Sequence, residues 1–337
     1  MLLLHFFQIE DSKTNQHQRV MSFWRSRAFA GPTMWHALKS KLVTRSPERL
    51  EAEPGPAFSG QAVQAEQSDY AGVIHFWQDN FKEEGGPRTS YTFGDLIAMN
   101  KTLLIVRTTG PDPYIIGTIM ARPLGSWTKG AATGSQFATS YIDMFCVHRA
   151  WRGKGIGSSL LFAVFAALGS LSPSVFLKEG APLSWSLPPI RSSAFTFRYI
   201  MPDVPGFPVV QWTPDQLRLF VAQSNDSRYI INSPTTTESV IFECRGYIAV
   251  FSPAHQLHRD GRPLVWMTGF VKPAVADRTA VNTLSVAASK HFASPWIWAD
   301  AEFAPPDDMW KYDGPYHLYA FNWNPGVFFN GRALLLL

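Results

Sequence analysis

A chain of 337 residues is long enough for two domains, and its content of 46% hydrophobic and only 17% charged residues excludes an intrinsically disordered protein. The formal net charge of +4, without a dense block of Lys and Arg, predicts no nucleic-acid partner, whereas mild basicity suits a small polyanionic ligand. Two cysteines exclude a disulfide framework and predict a reducing, cytoplasmic location, and no run reaches the ~18 apolar residues of an integral membrane segment.

The first 66 residues contain several prolines and little hydrophobic period, which predicts a largely irregular arm. A helix is predicted from about residue 68 to 81, because apolar residues recur there at helical intervals: Tyr70, Val73, Ile74, Trp77 and Phe81. The acidic, glycine-containing loop 83–87 ends this helix and would attract a cationic peptide. A short helix at 95–99 is predicted next, followed by a β-hairpin formed by 103–108 and 114–121.

The stretch 141–168 carries the strongest functional signal. Residues 141–147 form an apolar, β-favouring run, and helical spacing begins at Leu160. The turn between them reads RGKGIG, from Arg152 to Gly157. Such a turn predicts an anion cradle, because first-turn N–H groups have no helical partner and the helix dipole adds positive charge. The turn fits neither a P-loop nor a Rossmann fingerprint. An ordinary glycine turn with two solvated bases is the alternative.

A strand at 175–177 completes the first half, and the second half repeats the same order of elements. A capping box at Thr213 and Gln216 predicts a helix start. The elements predicted after it are strands at 239–243, 247–252 and 264–271, a helix at 275–292, and strands at 296–298 and 317–323. After Val271 the chain has no glycine cradle, so only the first half is equipped to hold an anion.

The R-x-x-G-x-G pattern resembles the acyl-CoA cradle of the GNAT superfamily, and five segments in order resemble its N-myristoyltransferase family. The run IDMFCVH at 142–148 is similar to the family's I-N-F-L-C-V-H. The other four are the pair FW at 23–24 (F-W), NFKEE at 80–84 (N-Y-V-E-D), GTIMARP at 117–123 (G-F-I-S-A-I-P) and YAFNW at 319–323 (Y-L-Y-N-W).

The resemblance implies an α+β fold with two GNAT-like α/β halves, related by pseudo-two-fold symmetry around a mixed central sheet. It implies an arm at 1–66 with a CoA-contacting segment and an acyl-CoA-binding half at 67–200. The peptide-binding half at 201–337 ends in the catalytic C-terminus. The implied reaction transfers a myristoyl group from myristoyl-CoA to the N-terminal glycine amine of a peptide or protein, by a monomer without a metal.

The implied site has three groups of residues. Those contacting CoA are Ser22, Phe23, Trp24, Met144, Phe145, Cys146, Val147, Arg152, Gly153, Lys154, Gly155, Ile156 and Gly157. Those contacting the peptide are Phe81, Glu83, Glu84 and Tyr91. In the third group, the Met144 and Phe145 N–H groups form the oxyanion site, and the α-carboxylate of Leu337 is the base. Cys146 is predicted to be a small buried residue rather than a nucleophile.

Three departures from the family keep other interpretations open. Asp143 replaces an Asn, and either holds the amine as a charged acceptor or competes as the base. Lys178 replaces a Thr, and the cradle has more glycine than the family's. The glycine-rich cradle favours a GNAT N-acetyltransferase acting on a small amine or lysine. Asp143 and Lys178 favour a non-catalytic relative that binds acyl-CoA or a peptide.

Overall fold

The computed structural model describes residues 41–42, 60–83, 86–87, 89–129, 138–169, 174–179, 182, 189, 191–200, 206–223, 229–232, 239–321, 323–324 and 333–335. These residues form helices and a mixed sheet, which confirms the predicted α+β class. The chain divides into two compact units. Unit 1 comprises Met1–Pro123, Ser140–Ile190 and His317–Val327, and unit 2 comprises Leu124–Thr139, Arg191–Tyr316 and Phe328–Leu337.

The helices and strands predicted up to residue 179 are present in the predicted order, and four two-residue strands that were not predicted precede the β-hairpin. Three helices lie in this part: α1 (Tyr70–Asn80), α2 (Phe93–Ala98) and α3 (Ile156–Leu168). The strands are β1 (Lys41–Leu42), β2 (Val63–Gln64), β3 (Lys82–Glu83), β4 (Gly86–Pro87), β5 (Thr102–Arg107), β6 (Ile115–Lys129), β7 (Ala138–Val147) and β8 (Ser174–Glu179). Strand β6 extends eight residues beyond its predicted end at 121. Most of the predicted arm lies outside the described residues.

Unit 1 is a sheet with helices on both faces. Strand β5 shows why, since its side chains alternate between two apolar clusters. Leu104 and Val106 pack with the buried face of α3, and Leu103 and Ile105 pack with the buried face of α1. The hairpin β5–β6 is antiparallel, and β7 pairs in parallel with β8. Strand β7 lies between β6 and β8, with α3 connecting β7 to β8.

The remaining elements include the second set of predicted strands and helices. The helices are α4 (Pro214–Gln223) and α5 (Arg278–His291). The strands are β9 (Arg191–Tyr199), β10 (Val210–Trp212), β11 (Tyr229–Asn232), β12 (Val240–Cys244), β13 (Tyr247–Leu257), β14 (Pro263–Val271), β15 (Trp296–Asp300), β16 (Lys311–Phe321), β17 (Trp323–Asn324) and β18 (Ala333–Leu335). Strands β9, β10, β11 and β18 were not predicted as separate elements.

Unit 2 confirms one predicted helix start and corrects another. The Thr213 N–H donates to Gln216 Oε1 at 2.7 Å and the Gln216 N–H donates to Thr213 Oγ1 at 3.2 Å, so the predicted capping box is present. Helix α5 begins at Arg278 rather than at 275, because the Asp277 carboxylate accepts from the first-turn N–H groups and sets the N-cap there.

A cluster of buried ionisable residues lies in unit 2. Arg191 and Asp300 have side chains only 1% and 3% exposed, and Arg191 Nη2 lies 2.9 Å from Asp300 Oδ2. Arg191 Nε donates to Tyr316 Oη at 3.0 Å, and the Tyr316 hydroxyl donates to Asp300. Burial, together with the Asp300 charge, raises the pKa of Tyr316 well above its ordinary value, so the phenol stays neutral. The Arg191 charge is therefore matched within the unit by Asp300 and by Glu302, whose Oε2 lies 3.0 Å from Arg191 Nη2.

Candidate active site

Strand β7 runs through Met144 but is distorted there, because the Met144 φ of +48° is a left-handed value that a non-glycine residue rarely adopts. The Met144 N–H donates to Oδ1 of the preceding residue, Asp143, at 2.7 Å. The side chain is buried with only 1% exposed, in the cluster against α1. The local backbone strain therefore lies inside the strand that was predicted to carry the oxyanion donors.

A chain of buried hydrogen bonds holds this irregular backbone. Trp77 Nε1 of α1 donates to Thr118 Oγ1 of β6 at 2.9 Å. The Thr118 hydroxyl in turn donates to the Met144 carbonyl oxygen, also at 2.9 Å. All three residues are at most 1% exposed. The Met144 carbonyl is thus directed away from the position that it would have in a regular strand, and its orientation is fixed from two other elements.

A cluster of polar side chains from β6 and β7 lies beside Met144. Arg122 Nη2 of β6 is 3.0 Å from Asp143 Oδ2 of β7, and the Arg122 guanidinium carbon lies 5.3 Å from the centre of the Tyr141 ring. Burial lowers the pKa of Arg122, but Tyr91, then Asp143 and Tyr141, outweigh it and raise the pKa above its ordinary value. Burial, followed by the Asp143 charge, raises the pKa of Tyr141 well above its ordinary value. Arg122 is therefore charged and Tyr141 neutral at ordinary pH.

At the end of β8, Glu179 acts on this cluster and Lys178 is its neighbour in the strand. Glu179 acts on the Tyr141 phenol, and the Lys178 ammonium donates to the Glu179 carbonyl oxygen at 3.1 Å. Lys178 is only 4% exposed. Burial lowers the pKa of Lys178 to about 8, against the opposing effect of the Glu179 charge. The predicted replacement of a family Thr by Lys178 thus places a buried, titratable amine at the end of β8, the strand that pairs with β7.

The predicted cradle forms the entry to α3. Gly153 and Gly155 have φ values of +75° and +82°, which glycine adopts without strain. Gly155 is the N-cap, no side chain caps α3, and Ile156 begins the helix. The first-turn N–H groups of α3 are therefore available to an anion. At Gly157 an added Cβ would lie 3.2 Å from Phe145 Cζ, so the cradle packs directly on β7.

The two basic residues of the cradle are exposed, as an anion site requires. Arg152 Nε donates to the Val147 carbonyl oxygen at 3.3 Å, which ties the guanidinium to the end of β7. Burial lowers the pKa of Arg152, and Cys146 opposes this. Lys154 Nζ lies 4.4 Å from the centre of the Trp151 ring, a cation–π contact that holds the ammonium over the turn.

The thiol of Cys146 is buried, with 1% exposed, in the cluster that includes Trp77 and Met144. Burial raises the pKa of Cys146 far above its ordinary value, with Arg152 opposing. A thiol that stays protonated is a poor nucleophile. This bears out the prediction of a small buried residue.

The predicted peptide residues are only partly brought together. Phe81 and Tyr91 are both buried in the cluster with Met144, and the Tyr91 ring centre lies 5.2 Å from that of Trp77. Glu83 lies in β3, but its side chain is not described. The other predicted site residues outside the described residues are Ser22, Phe23, Trp24, Glu84 and Leu337. Near the last of these, β18 pairs antiparallel with β14, where Leu334 lies opposite Phe270.

Arg122, Thr118 and Trp77 were not predicted as site residues. The signal was present for Arg122, because a single charge stands in the otherwise apolar run IIGTIMAR of β6. Its partner, Asp143, can be identified only when the alignment of β6 with β7 is known, and the spacing of residues in the sequence does not give that alignment.

Unit 2 contains a cavity of ≈ 160 Å³ at the start of α5. Here the helix start is closed by the Asp277 carboxylate, which also lies 2.7 Å from Arg245 Nη1. Arg278 in the same wall is paired with Asp307 Oδ2 at 3.2 Å. The helix start in this unit is therefore occupied by the chain's own acid, in contrast to the glycine entry of α3.

Within the described part of the chain, no three His, Cys, Asp or Glu residues are grouped to bind a metal ion. Among the same residues, no helix is long and apolar enough to cross a bilayer.

Comparison with known proteins gives a family match for part of the chain and a fold for nearly all of it. Residues 65–172, which include β7, the cradle and α3, match the model of the acetyltransferase (GNAT) family. A search of curated proteins by sequence gives no match. The structure is similar to crystal structures of N-myristoyltransferase from Saccharomyces cerevisiae.

Three of these yeast structures contain bound myristoyl-CoA, one of them together with inhibitors. One has a TM-score of 0.62 at 15% sequence identity, covering 94% of this chain and 98% of the yeast chain. The other has a TM-score of 0.63 at 14% identity, covering 97% and 95%. A third structure, with myristoyl-CoA and inhibitors, has a TM-score of 0.59 at 13% identity, covering 92% and 94%. Residues 65–172 therefore match the acetyltransferase (GNAT) family, and the chain shares the fold of yeast N-myristoyltransferase over nearly its whole length.

Proposed function

We propose that the protein transfers a long-chain acyl group, myristoyl in the first instance, from acyl-CoA to the N-terminal glycine amine of a peptide or protein. The observation that carries the proposal is the strained Met144 eight residues before the exposed cradle residue Arg152, in one unit. The cradle offers first-turn N–H groups for CoA phosphates. The distortion of β7 at Met144 offers main-chain groups for the thioester.

In this proposal the thioester carbonyl lies against β7 and accepts from the Met144 and Phe145 N–H groups. The Met144 N–H now donates to Asp143, so this contact has to be exchanged when the thioester binds. A main-chain donor directed at a developing oxyanion typically lowers the barrier by about 3 kcal/mol. The strain at Met144 supports the proposal, because left-handed backbone inside a strand turns N–H groups out of the ladder.

The acyl chain length in the proposal is supported by the yeast structures, whose bound ligand is myristoyl-CoA. The tail is proposed to lie along the apolar helix α3, whose buried face includes Leu160, Val164 and Phe165. The base is proposed to be the α-carboxylate of Leu337, which lies outside the described residues. Ser22, Phe23 and Trp24 are proposed to contact CoA, and Phe81, Glu83, Glu84 and Tyr91 the peptide.

A second candidate is N-acetyl transfer to a small amine or lysine. The observation that favours it is the cradle itself, because Gly153 and Gly155 both use left-handed φ values, as a glycine-rich anion turn does. The two candidates differ in acyl length and in acceptor, whereas both use the same cradle.

The proposed acceptor is tested with three peptides of one sequence offered with myristoyl-CoA: Gly-initiated, Ala-initiated and N-acetylated Gly-initiated. Release of free CoA thiol and the peptide mass are followed together. The proposal predicts acylation of the Gly-initiated peptide alone. Equal acylation of an internal lysine in all three peptides would support the second candidate, and CoA binding without acylation would support a non-catalytic relative.

A further inference from the structure

Arg122 and Asp143 form an ion pair beside the distorted backbone of β7 at Met144. The Arg122 Nη2 to Asp143 Oδ2 distance is 3.0 Å, and the side chains are 24% and 13% exposed. Both carboxylate oxygens are engaged, because Oδ1 accepts from the Met144 N–H at 2.7 Å. A carboxylate with so little exposure needs such partners. Asp143 is therefore held by the Arg122 guanidinium and by the Met144 N–H, which flank the proposed reaction centre.

The geometry of the pair is poor for a purely stabilising salt bridge. Arg122 Nη2 reaches Asp143, but Arg122 Nε is buried and has no hydrogen-bond partner among the described residues. A buried donor without a partner costs free energy that a bidentate pair would avoid. An apolar residue at 122 would remove the unsatisfied donor, but it would leave the Asp143 carboxylate without its cation. The presence of a cation at this position points to a role in the site rather than in the core.

The chemistry of amine acylation supplies such a role. The attacking amine has to be neutral, and a carboxylate within about 4–6 Å favours the protonated amine by about 1–3 pKa units. An unpaired Asp143 beside the acceptor would therefore hold the amine as an ammonium ion. A guanidinium 3.0 Å from the same carboxylate opposes that effect, because the pair as a whole carries no net charge.

We propose that Arg122 is a positioning residue whose guanidinium balances the Asp143 carboxylate, so that Asp143 accepts a hydrogen bond from the acceptor amine without keeping the amine protonated. Within this pair, which has no net charge, the Asp143 carboxylate acts as a hydrogen-bond acceptor and is not the general base. This inference rests on the proposed transfer to an N-terminal amine.

The other ionisable groups that act on this cluster come from three elements. They are Tyr91 before α2, Tyr141 in β7 and Glu179 in β8, and Glu179 in turn acts on its neighbour Lys178. Burial raises the pKa of Tyr141, which keeps this phenol neutral in the range of the assay. Lys178 titrates within the pH range of the assay, since its pKa is lowered to about 8. A Lys178→Met background therefore separates the titration of Lys178 from that of the amine.

The test is the pH dependence of kcat for a Gly-initiated peptide in three variants: Arg122→Met, Asp143→Asn and the double variant. In Arg122→Met the unbalanced carboxylate should shift the acid limb of the profile to higher pH by about one to two units. Well below the new midpoint, kcat should then fall about 10- to 100-fold, while KM for the cationic peptide does not rise. In the double variant the limb should coincide with that of Asp143→Asn alone.

Controls separate charge from folding. Arg122→Lys retains the cation and should keep the wild-type acid limb, and Arg122→Gln replaces Arg122→Met if the latter does not fold. An unshifted limb in a folded neutral variant would overturn the inference, as would an equal loss in the double variant and in Arg122→Met. If the wild type acylates the peptide but the acid limb of the neutral Arg122 variant is unshifted, this inference alone is refuted. A wild type that acylates no peptide refutes the proposed function and this inference with it.

Discussion

Thr118 and Met144 are joined by a buried hydrogen bond in which the Thr118 hydroxyl donates to the Met144 carbonyl oxygen at 2.9 Å. The acceptor residue has a φ of +48°, and the donor oxygen itself accepts from Trp77 Nε1. A strained residue in a strand persists only where its surroundings fix it. This bond connects the proposed oxyanion site to the core packed on α1.

Replacing Thr118 with valine should therefore affect both stability and turnover. Thr118→Val keeps the shape but leaves the Trp77 N–H and the Met144 carbonyl without their partner, at a cost of about 1–3 kcal/mol in the free energy of unfolding. It should also lower kcat, because the Met144 backbone is no longer fixed. Thr118→Ser, which retains the hydroxyl, is the matched control in urea unfolding and in kinetics. Equal stability of the two variants would show that the bond contributes nothing.

Gly155 should be required for CoA binding. Replacing it should weaken CoA affinity more than an equally strained replacement of a glycine elsewhere in the chain. Gly155→Val places a β-branched side chain at φ +82° in the cradle, so CoA affinity should fall while the fold persists. Gly261 has a φ of +79° with no atom within 4 Å of an added Cβ, in the hairpin between β13 and β14. Gly261→Val therefore carries the same strain far along the sequence from the cradle.

Calorimetric titration with CoA distinguishes the two valine variants. Both should lose about 1–2 kcal/mol of stability from the left-handed backbone. Gly155→Val alone should lose CoA affinity. Unchanged affinity in a folded Gly155→Val would remove the cradle from the proposal.

Lys178 should make the stability of the protein depend on pH. Its pKa is lowered from 10.5 to about 8 by burial, so between these values the unfolded state binds more protons than the folded state. The free energy of unfolding should therefore rise with pH across that window, at about 1.4 kcal/mol for each unit of difference in pKa. Lys178→Met should lack this rise and should be more stable than the wild type near neutral pH. Parallel pH profiles for the two proteins would contradict the assignment.

The proposed base predicts a dependence on the position of the C-terminal carboxylate. Extending the chain beyond Leu337 moves the carboxylate, so kcat should fall by about 10²- to 10⁴-fold while CoA affinity holds. Leu337→Ala retains a carboxylate at the same position and should lose much less activity. A C-terminally extended enzyme with native kcat would exclude this base. Loss of CoA binding and folding together would instead indicate a structural role for the C-terminus.

Features set by local sequence were predictable. Helices α1 and α3 follow from apolar spacing, and the start of α4 follows from Thr213 and Gln216, whose side chains form the expected capping box. The start of α5 was misplaced by three residues, since Asp277 had to be recognised as the N-cap ahead of an apolar pattern that begins earlier. The nine-residue strand β9 was missed, because its alternation of polar and aromatic residues follows a long stretch rich in proline and serine.

The site was predictable in its main-chain parts and not in its ion pair. The cradle glycines and the position of Met144 follow from the order strand, glycine turn, helix together with the family resemblance. The contact between Arg122 and Asp143 depends on how β6 and β7 are aligned, and that alignment is set by tertiary packing. The support of Met144 by Thr118 and Trp77 was missed for the same reason, because it joins three elements far apart in the sequence.

The measurement that tests the central claim most directly is a competition between acyl donors. Acetyl-, octanoyl- and myristoyl-CoA are mixed in equal amounts with the wild-type protein and one Gly-initiated peptide, and the acylated products are resolved by intact mass and located by fragmentation. Each buried CH₂ contributes about 0.8 kcal/mol to binding, so the account predicts the myristoylated peptide in large excess, modified at the glycine amine. A product that is mainly acetylated, or modified elsewhere than at that amine, would contradict it.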